Sequence, residues 1–310
     1  MSIASIAEQP QPVTEALAER TAGLTFDDLD PDSLAVAKQC LIDWFAVTLA
    51  GAREPLTGML LAEAAEEGGR ERATLIGGGK GTLAQAALIN GAASHALDYD
   101  DVNQAMGGHP TVPVVPAVLA LAEDGGLSGR DLLTAFVAGY ETECRVGTLV
   151  APSHYEKGFH ATATVGSFGA AAGAARLLGL DTEGTARAMG IAATQAAGLK
   201  SQFGTMCKPL HAGKAASNGL LAAKLAARGF TSRPDMLETA QGFAATQSDE
   251  FRADRALEAA RRGFFVRENL FKYHAACYLT HSTIEAMGRL RQEHGIGPDD
   301  VVAATLRVDN

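Results

Sequence analysis

The sequence predicts a mainly α protein, with a large all-helical domain over residues 1–262 and a second, smaller unit beginning at 263–310. Three observations carry this expectation. Apolar residues recur at helical spacing in run after run. Gly and Asp turns such as "GLD" (179–181) and "RGFTSRPD" (228–235) separate the runs at lengths usual between packed helices. After about residue 262 that periodicity gives way to the aromatic, irregular "RGFFVRENLFKYHAACYLTH".

The elements follow in chain order. In "DSLAVAKQCLIDWFAVTLAG" the stripe Ala37, Cys40, Leu41, Trp44, Phe45 and Thr48 predicts an amphipathic helix, capped by Asp32 or Ser33 and closed by Gly51. "TLAQAALINGAASHAL" (82–97) predicts the next helix, and a charged stretch then leads into an apolar, proline-containing one near 111–123. Similar runs cover 129–147, 160–179, 181–198 and 208–229. Gly166, Gly169 and Gly173 stand three and four apart, so one face of the 160–179 helix allows close approach by a neighbour. "STIEAMGRLRQEHG" predicts a late helix, and "DDVVAATLRVDN" alternates like a terminal strand that needs a partner.

At 310 residues and 47% hydrophobic, the chain has the length and apolar content of an ordinary globular protein, with disorder expected only in the first dozen residues. The start "MSIASIAEQPQP" has neither a basic leader nor an apolar run of signal-peptide length, and no window of about 18 residues is uninterruptedly apolar. A cytoplasmic protein without a membrane span is expected. The formal charge of −10 excludes nucleic acid as the expected partner, because phosphate contacts need a basic face. A small anion is not excluded, since a few cations inside a cleft act at short range. The four cysteines form no C-x-x-C pair, so reduced and mostly core thiols are expected.

The chemistry concentrates in four places. "HALDYDD" puts His95 and Asp98 three apart at a helix end, where they share a face and can hydrogen-bond. "KGFHATATVGSFG" puts His160 at a helix N-terminus. "MCKPLHAGKAASNG" puts Lys208 just before Pro209, beside helix-start amides that would make an anion cradle, with His211 and Lys214 following. "FKYHAACYLTH" gathers Lys272, His274 and His281 in an irregular stretch. Alone, "HALDYDD" reads equally well as a helix end with capping carboxylates, while His160 reads more readily as a satisfied structural histidine and Lys214 as a solvated lysine. Together they predict one anionic-substrate pocket in a helical body.

In their order along the chain, "HALDYDD…GHPTVPVVPAVLALAE", "YETECRVG", "GFHATATVGSFGAAAGAARLLGLD", "KPLHAGKAASNGLLAAKLAARGFT" and "KYHAACYLTH" resemble the MmgE/PrpD family, over about residues 12–308. That family includes 2-methylcitrate dehydratase, cis-aconitate decarboxylase and iminodisuccinate epimerase. The resemblance implies a homodimer with a large helical domain and a smaller α+β lid domain, acting without metal or organic cofactor. It implies site residues Asp98, His109, His160, Lys208 and Lys272. Val102 stands where a threonine is frequent, and the place of a second lid histidine is ambiguous among His274, Cys277 and His281. Family members are longer, so the resemblance also implies a chain ending inside its lid.

The function so implied is a cofactor-independent lyase, dehydratase or decarboxylase, acting on a small polycarboxylate. Lys208, Lys272 and His160 would grip carboxylates, and His109 would be the general acid or base with Asp98 orienting it. Three alternatives stand beside it: an epimerase of an iminodisuccinate-like substrate, a truncated non-catalytic member, and a metal-dependent helical hydrolase using "HALDYDD", His160 and His211.

Overall fold

The computed structural model describes residues 12–307. The helices are α1 (Val13–Gly23), α2 (Pro31–Gly51), α3 (Pro55–Glu67), α4 (Leu83–Ser94), α5 (Thr111–Gly125), α6 (Gly129–Val150), α7 (Ser153–Glu156), α8 (Ala161–Leu177), α9 (Thr182–Ala193), α10 (Cys207–Ala226), α11 (Phe243–Gln247), α12 (Ala253–Leu257) and α13 (His281–His294). The fold is mainly α, as the periodicity predicts.

Helix α8 is the centre of the body: it packs against α5, α6, α9 and α10, and α4 crosses α10 on one side. Close approach explains why these helices are built from Ala and Gly. A Cβ placed on Gly139 of α6 would lie 2.6 Å from the Gly169 carbonyl oxygen of α8. One on Gly213 of α10 would lie 2.1 Å from the Leu88 carbonyl oxygen of α4. Larger residues at these crossings would force the backbones apart. Trp44, Phe136, Tyr140 and Phe168 fill the interior.

Helix α2 begins at least two residues earlier than the sequence suggests. Asp30 is its cap, accepting from the amides of Asp32 and Ser33, with Pro31 at the first helical position. Its buried stripe includes Ala37, Cys40, Trp44 and Thr48, while Phe45 faces outward. By length and composition α2 could cross a membrane, but this stripe lies in the protein core.

Two expectations about strands are corrected. The helical body includes an antiparallel ribbon, β1 (Ala73–Leu75) with β2 (Gly79–Gly81), which the sequence reading missed. Three residues per strand are too few for an alternation to register, and Gly77 and Gly79 take positive φ in the turn. The terminal strand does not form over 301–307, which finds no ladder partner among the described residues; residues 308–310 of that prediction, and the first eleven residues read for a leader, lie outside the described part. The cysteines divide evenly, with Cys40 and Cys144 buried and Cys207 and Cys277 exposed.

Residues just beyond 262 stay on the helical body. Phe265 and Val266 are in its core, and Lys272 is buried against it. A cavity of about 1930 Å³ lies further on, walled by residues between 273 and 307.

Candidate active site

The site starts where α4 stops. His95 is its C-cap, and the chain then turns so that Asp98 takes a left-handed φ of 49°. An aspartate tolerates that region better than most side chains. This turn overturns the expectation that His95 and Asp98 share a helical face. His95 Nδ1 instead lies 2.9 Å from both carboxylate oxygens of Asp100.

Asp98 is turned toward two lysines. Lys208 Nζ donates to Oδ2 at 2.5 Å, and Lys272 Nζ donates to Oδ1 and to the Asp98 carbonyl oxygen, both at 2.6 Å. The Lys272 side chain has no exposed surface, so its charge depends on these contacts. It is delivered by a local pairing: Val102 and Leu270 exchange both backbone hydrogen bonds at 2.9 Å. That tie carries the 270–272 segment onto the loop holding Asp98.

His109 stands between the two aspartates. Its Nδ1 is 2.9 Å from Asp100 Oδ2, and its Nε2 is 3.6 Å from Asp98 Oδ1. The nearer carboxylate on His109 is therefore Asp100 rather than the predicted Asp98. His160 caps α8 with its ring stacked on His95 at 5.8 Å between centroids. Its Nδ1 lies 3.0 Å from that of His211, and Phe203 stands edge-on to the ring at 4.9 Å.

The structure thus brings Asp98, His109, Lys208 and Lys272 into direct contact and places His160 one ring away. It does not bring in Lys214, His274 or His281. Lys214 is exposed. His274 Nε2 pairs with Glu285 of α13 at 2.7 Å, with His281 beside it. The predicted cradle of free amides at α10 is absent too: the Cys207 amide donates to Thr205 Oγ1 and the Lys208 amide to the Thr205 carbonyl. Lys208 acts through its ammonium group. Asp100 is the residue the sequence reading passed over. Its one signal was its position between two histidines, and neither helical nor strand spacing relates the three.

The electrostatics divide the site. Burial would raise the Asp98 carboxyl, but His109, Lys272, His95 and Lys208 outweigh it and hold it below the usual range. Asp100 is likewise held well below, with burial overcome by His109 and His95. Burial lowers His95 to about 4 and lowers His160 well below the ordinary histidine value, so both rings are neutral. Burial also raises Asp101 to about 7, and raises Asp43 to about 7 with help from Asp101 and Asp100. Two ammonium groups thus face the Asp98 carboxylate, with the Asp100 carboxylate and the neutral rings of His95 and His160 nearby. Such a constellation can hold a carboxylate and move a proton beside it.

Donor atoms of His95, Asp98, Asp100 and His109 also lie within 4.8 Å of one another, as metal ligands would. A divalent cation taking one oxygen of Asp98 would compete there with the lysine that already holds it.

The comparisons with known proteins bear on the same residues. The chain matches the MmgE/PrpD N-terminal domain over residues 15–256, which include Asp98, His109, His160 and Lys208. It is 31% identical over 298 residues to cis-aconitate decarboxylase of Aspergillus terreus (strain NIH 2624 / FGSC A1156), covering 91% of this chain and 61% of that protein. It is 29% identical over 299 residues to the cis-aconitate decarboxylase-like protein oryM of Aspergillus oryzae, covering 91% and 62%. The human cis-aconitate decarboxylase is 37% identical over 165 residues, 52% of this chain and 34% of that protein. The chain therefore spans about three fifths of the Aspergillus relatives it matches. With the domain match running through most of the helical body and across four of the five site residues, this chain belongs to the MmgE/PrpD family.

Proposed function

We propose that this protein is a lyase acting on a small polycarboxylate, with decarboxylation of cis-aconitate as the first reaction to test. One observation carries the reading. Lys208 and Lys272 converge on a single carboxylate, that of Asp98, directly beside an imidazole backed by a second carboxylate. Two ammonium groups grip a substrate carboxylate at the edge of this cluster, sharing it with Asp98 or displacing it. When CO₂ departs, the electron pair of the broken C–C bond stays on the carbon, and the nearby cations stabilise that charge. His109 Nε2 supplies the proton that completes the product.

The names of the Aspergillus and human relatives support decarboxylation ahead of the other family reactions. Dehydration would use the same proton on a departing hydroxyl. Epimerisation would need a second acid or base on the opposite face of the carbon.

The test is incubation with cis-aconitate, 2-methylcitrate and iminodisuccinate, following CO₂ and products by NMR. CO₂ release from cis-aconitate is expected; failure to bind any of the three by calorimetry sinks the proposal. The His95, Asp98, Asp100 and His109 grouping favours a second reading, a metal-dependent hydrolase. Chelation followed by restoration with one metal would support it; full turnover after chelation is expected instead.

A further inference from the structure

We propose that Asp100, braced by His95, is the positioning residue that fixes His109 as the Nδ1–H tautomer and leaves Nε2 as the proton-transfer atom. The inference rests on the reading of His109 as the acid or base. Asp100 is almost completely buried and lies between two imidazoles, 2.9 Å from Nδ1 of His95 and 2.9 Å from Nδ1 of His109. A carboxylate only accepts hydrogen bonds, so each nitrogen facing it must carry a proton. The His95 contact is aligned with both oxygens, while the His109 N–H points off-axis at the same distance. The choice of tautomer survives that misalignment, because the other tautomer would set a nitrogen lone pair against a negative oxygen. The opposite end of His95 agrees: its Nε2 is buried without a partner among the described residues, which is cheaper for a bare lone pair than for an N–H.

The consequence falls on the pocket side of His109. Its Nε2 carries the free lone pair, 3.6 Å from Asp98 Oδ1 and toward the two lysines. When Nε2 accepts a proton, the imidazolium is held between the Asp100 and Asp98 carboxylates. When Nε2, protonated beforehand from water, gives that proton to the carbanion left by CO₂, the ring returns to its former tautomer and Asp100 remains ionised throughout. His95 has no part in the transfer; it supplies the second donor that a buried carboxylate requires.

The experiment is long-range ¹H–¹⁵N NMR of the ¹⁵N-labelled chain at alkaline pH, with His109 assigned by its loss in His109→Ala. In the parent, His109 is expected as Nδ1–H with Nε2 bare. In Asp100→Asn the side-chain amide can donate to Nδ1, so the Nε2–H form should gain population. Asp98→Asn should leave the tautomer as in the parent. Where a substrate turns over, Asp100→Asn should lower kcat about 10²- to 10⁴-fold with KM changing less than about threefold. A parent His109 in the Nε2–H form overturns the inference, and so does an Asp100→Asn variant that leaves both tautomer and kcat unchanged. If Asp100→Asn does not fold, the parent spectrum still decides. Full turnover in His109→Ala would defeat the acid–base reading separately, and absence of any turnover would defeat the proposed function without touching the tautomer measurement.

Discussion

Asp98 is held by two ammonium groups in the left-handed turn that follows α4, and on the proposed function its place is where a substrate carboxylate would be gripped. Lys208→Ala removes one charge-assisted donor, so it should weaken both binding and rate, by about 1.5–3 kcal/mol in kcat/KM. His109→Ala should bind a polycarboxylate nearly as well as the parent by calorimetry but turn it over about 10²- to 10⁴-fold more slowly. Full turnover would make the histidine structural. Asp101 gives a prediction about stability. Burial raises its carboxyl from 3.8 to about 7, so between those values the folded chain keeps a proton that the unfolded chain has lost. Its contribution to stability is therefore complete below about pH 4 and is lost as pH rises toward 7. His95 and His154, both lowered by burial to about 4, act in the opposite sense: their contribution is present above 6.5 and is lost as pH falls toward 4. The parent profile mixes the two, but comparison with Asp101→Asn isolates one. The variant should gain on the parent by about 2 kcal/mol between pH 5 and pH 8 in urea unfolding, an order-of-magnitude figure from the linkage of pKa to stability. An equal difference at both pH values would count against a raised Asp101.

Between elements, glycine crossings set the geometry that the site uses. Helix α10 carries Lys208 and His211, α4 leads into the turn of His95 and Asp98, and the two cross at Gly213 and Gly91. An alanine inside a helix is intrinsically about 1 kcal/mol better than glycine. At Gly213, however, the new Cβ would sit 2.1 Å from a backbone carbonyl, and no side-chain rotation relieves that. Gly213→Ala should therefore destabilise the protein by about 1–3 kcal/mol in urea unfolding, the usual range for overpacking, and should weaken polycarboxylate binding as the helices separate. Gly23→Ala is the control, since nothing lies within 4 Å of a Cβ there. It should be neutral or stabilising. The Val102–Leu270 pairing is the other element-scale device, because it fixes Lys272 from a segment far along the chain.

For the whole molecule, the outer face of α2 remains to be accounted for. Ile42, Phe45 and Leu49 recur on it at helical spacing and are 70%, 40% and 62% exposed. A continuous apolar stripe of this kind favours self-association. We propose that two copies cover it in a homodimer. Sedimentation should show a dimer at micromolar concentration that Leu49→Lys converts to monomer. A parent that sediments as a monomer would count against the proposal.

The apolar periodicity of the chain determined that it is mainly α, and its small residues determined that the helices pack closely, because both properties depend on neighbours a few positions apart. The ordered motifs that carry the family resemblance also brought out Asp98, His109, His160, Lys208 and Lys272. The structure brings four of these into contact, although α10 and the 270–272 segment lie more than a hundred residues beyond Asp98. Only the tertiary structure decided which carboxylate backs His109. The turn after Ser94 breaks the helical register, so Asp100 faces His95 and His109 while Asp98 swings to the lysines. It also decided that the α10 amides are used by Thr205, and that Lys272 is buried while His274 turns to α13, which His281 opens. Spacing along a chain says which residues share a helical face; once the chain leaves the helix, long-range packing alone sets where each side chain points.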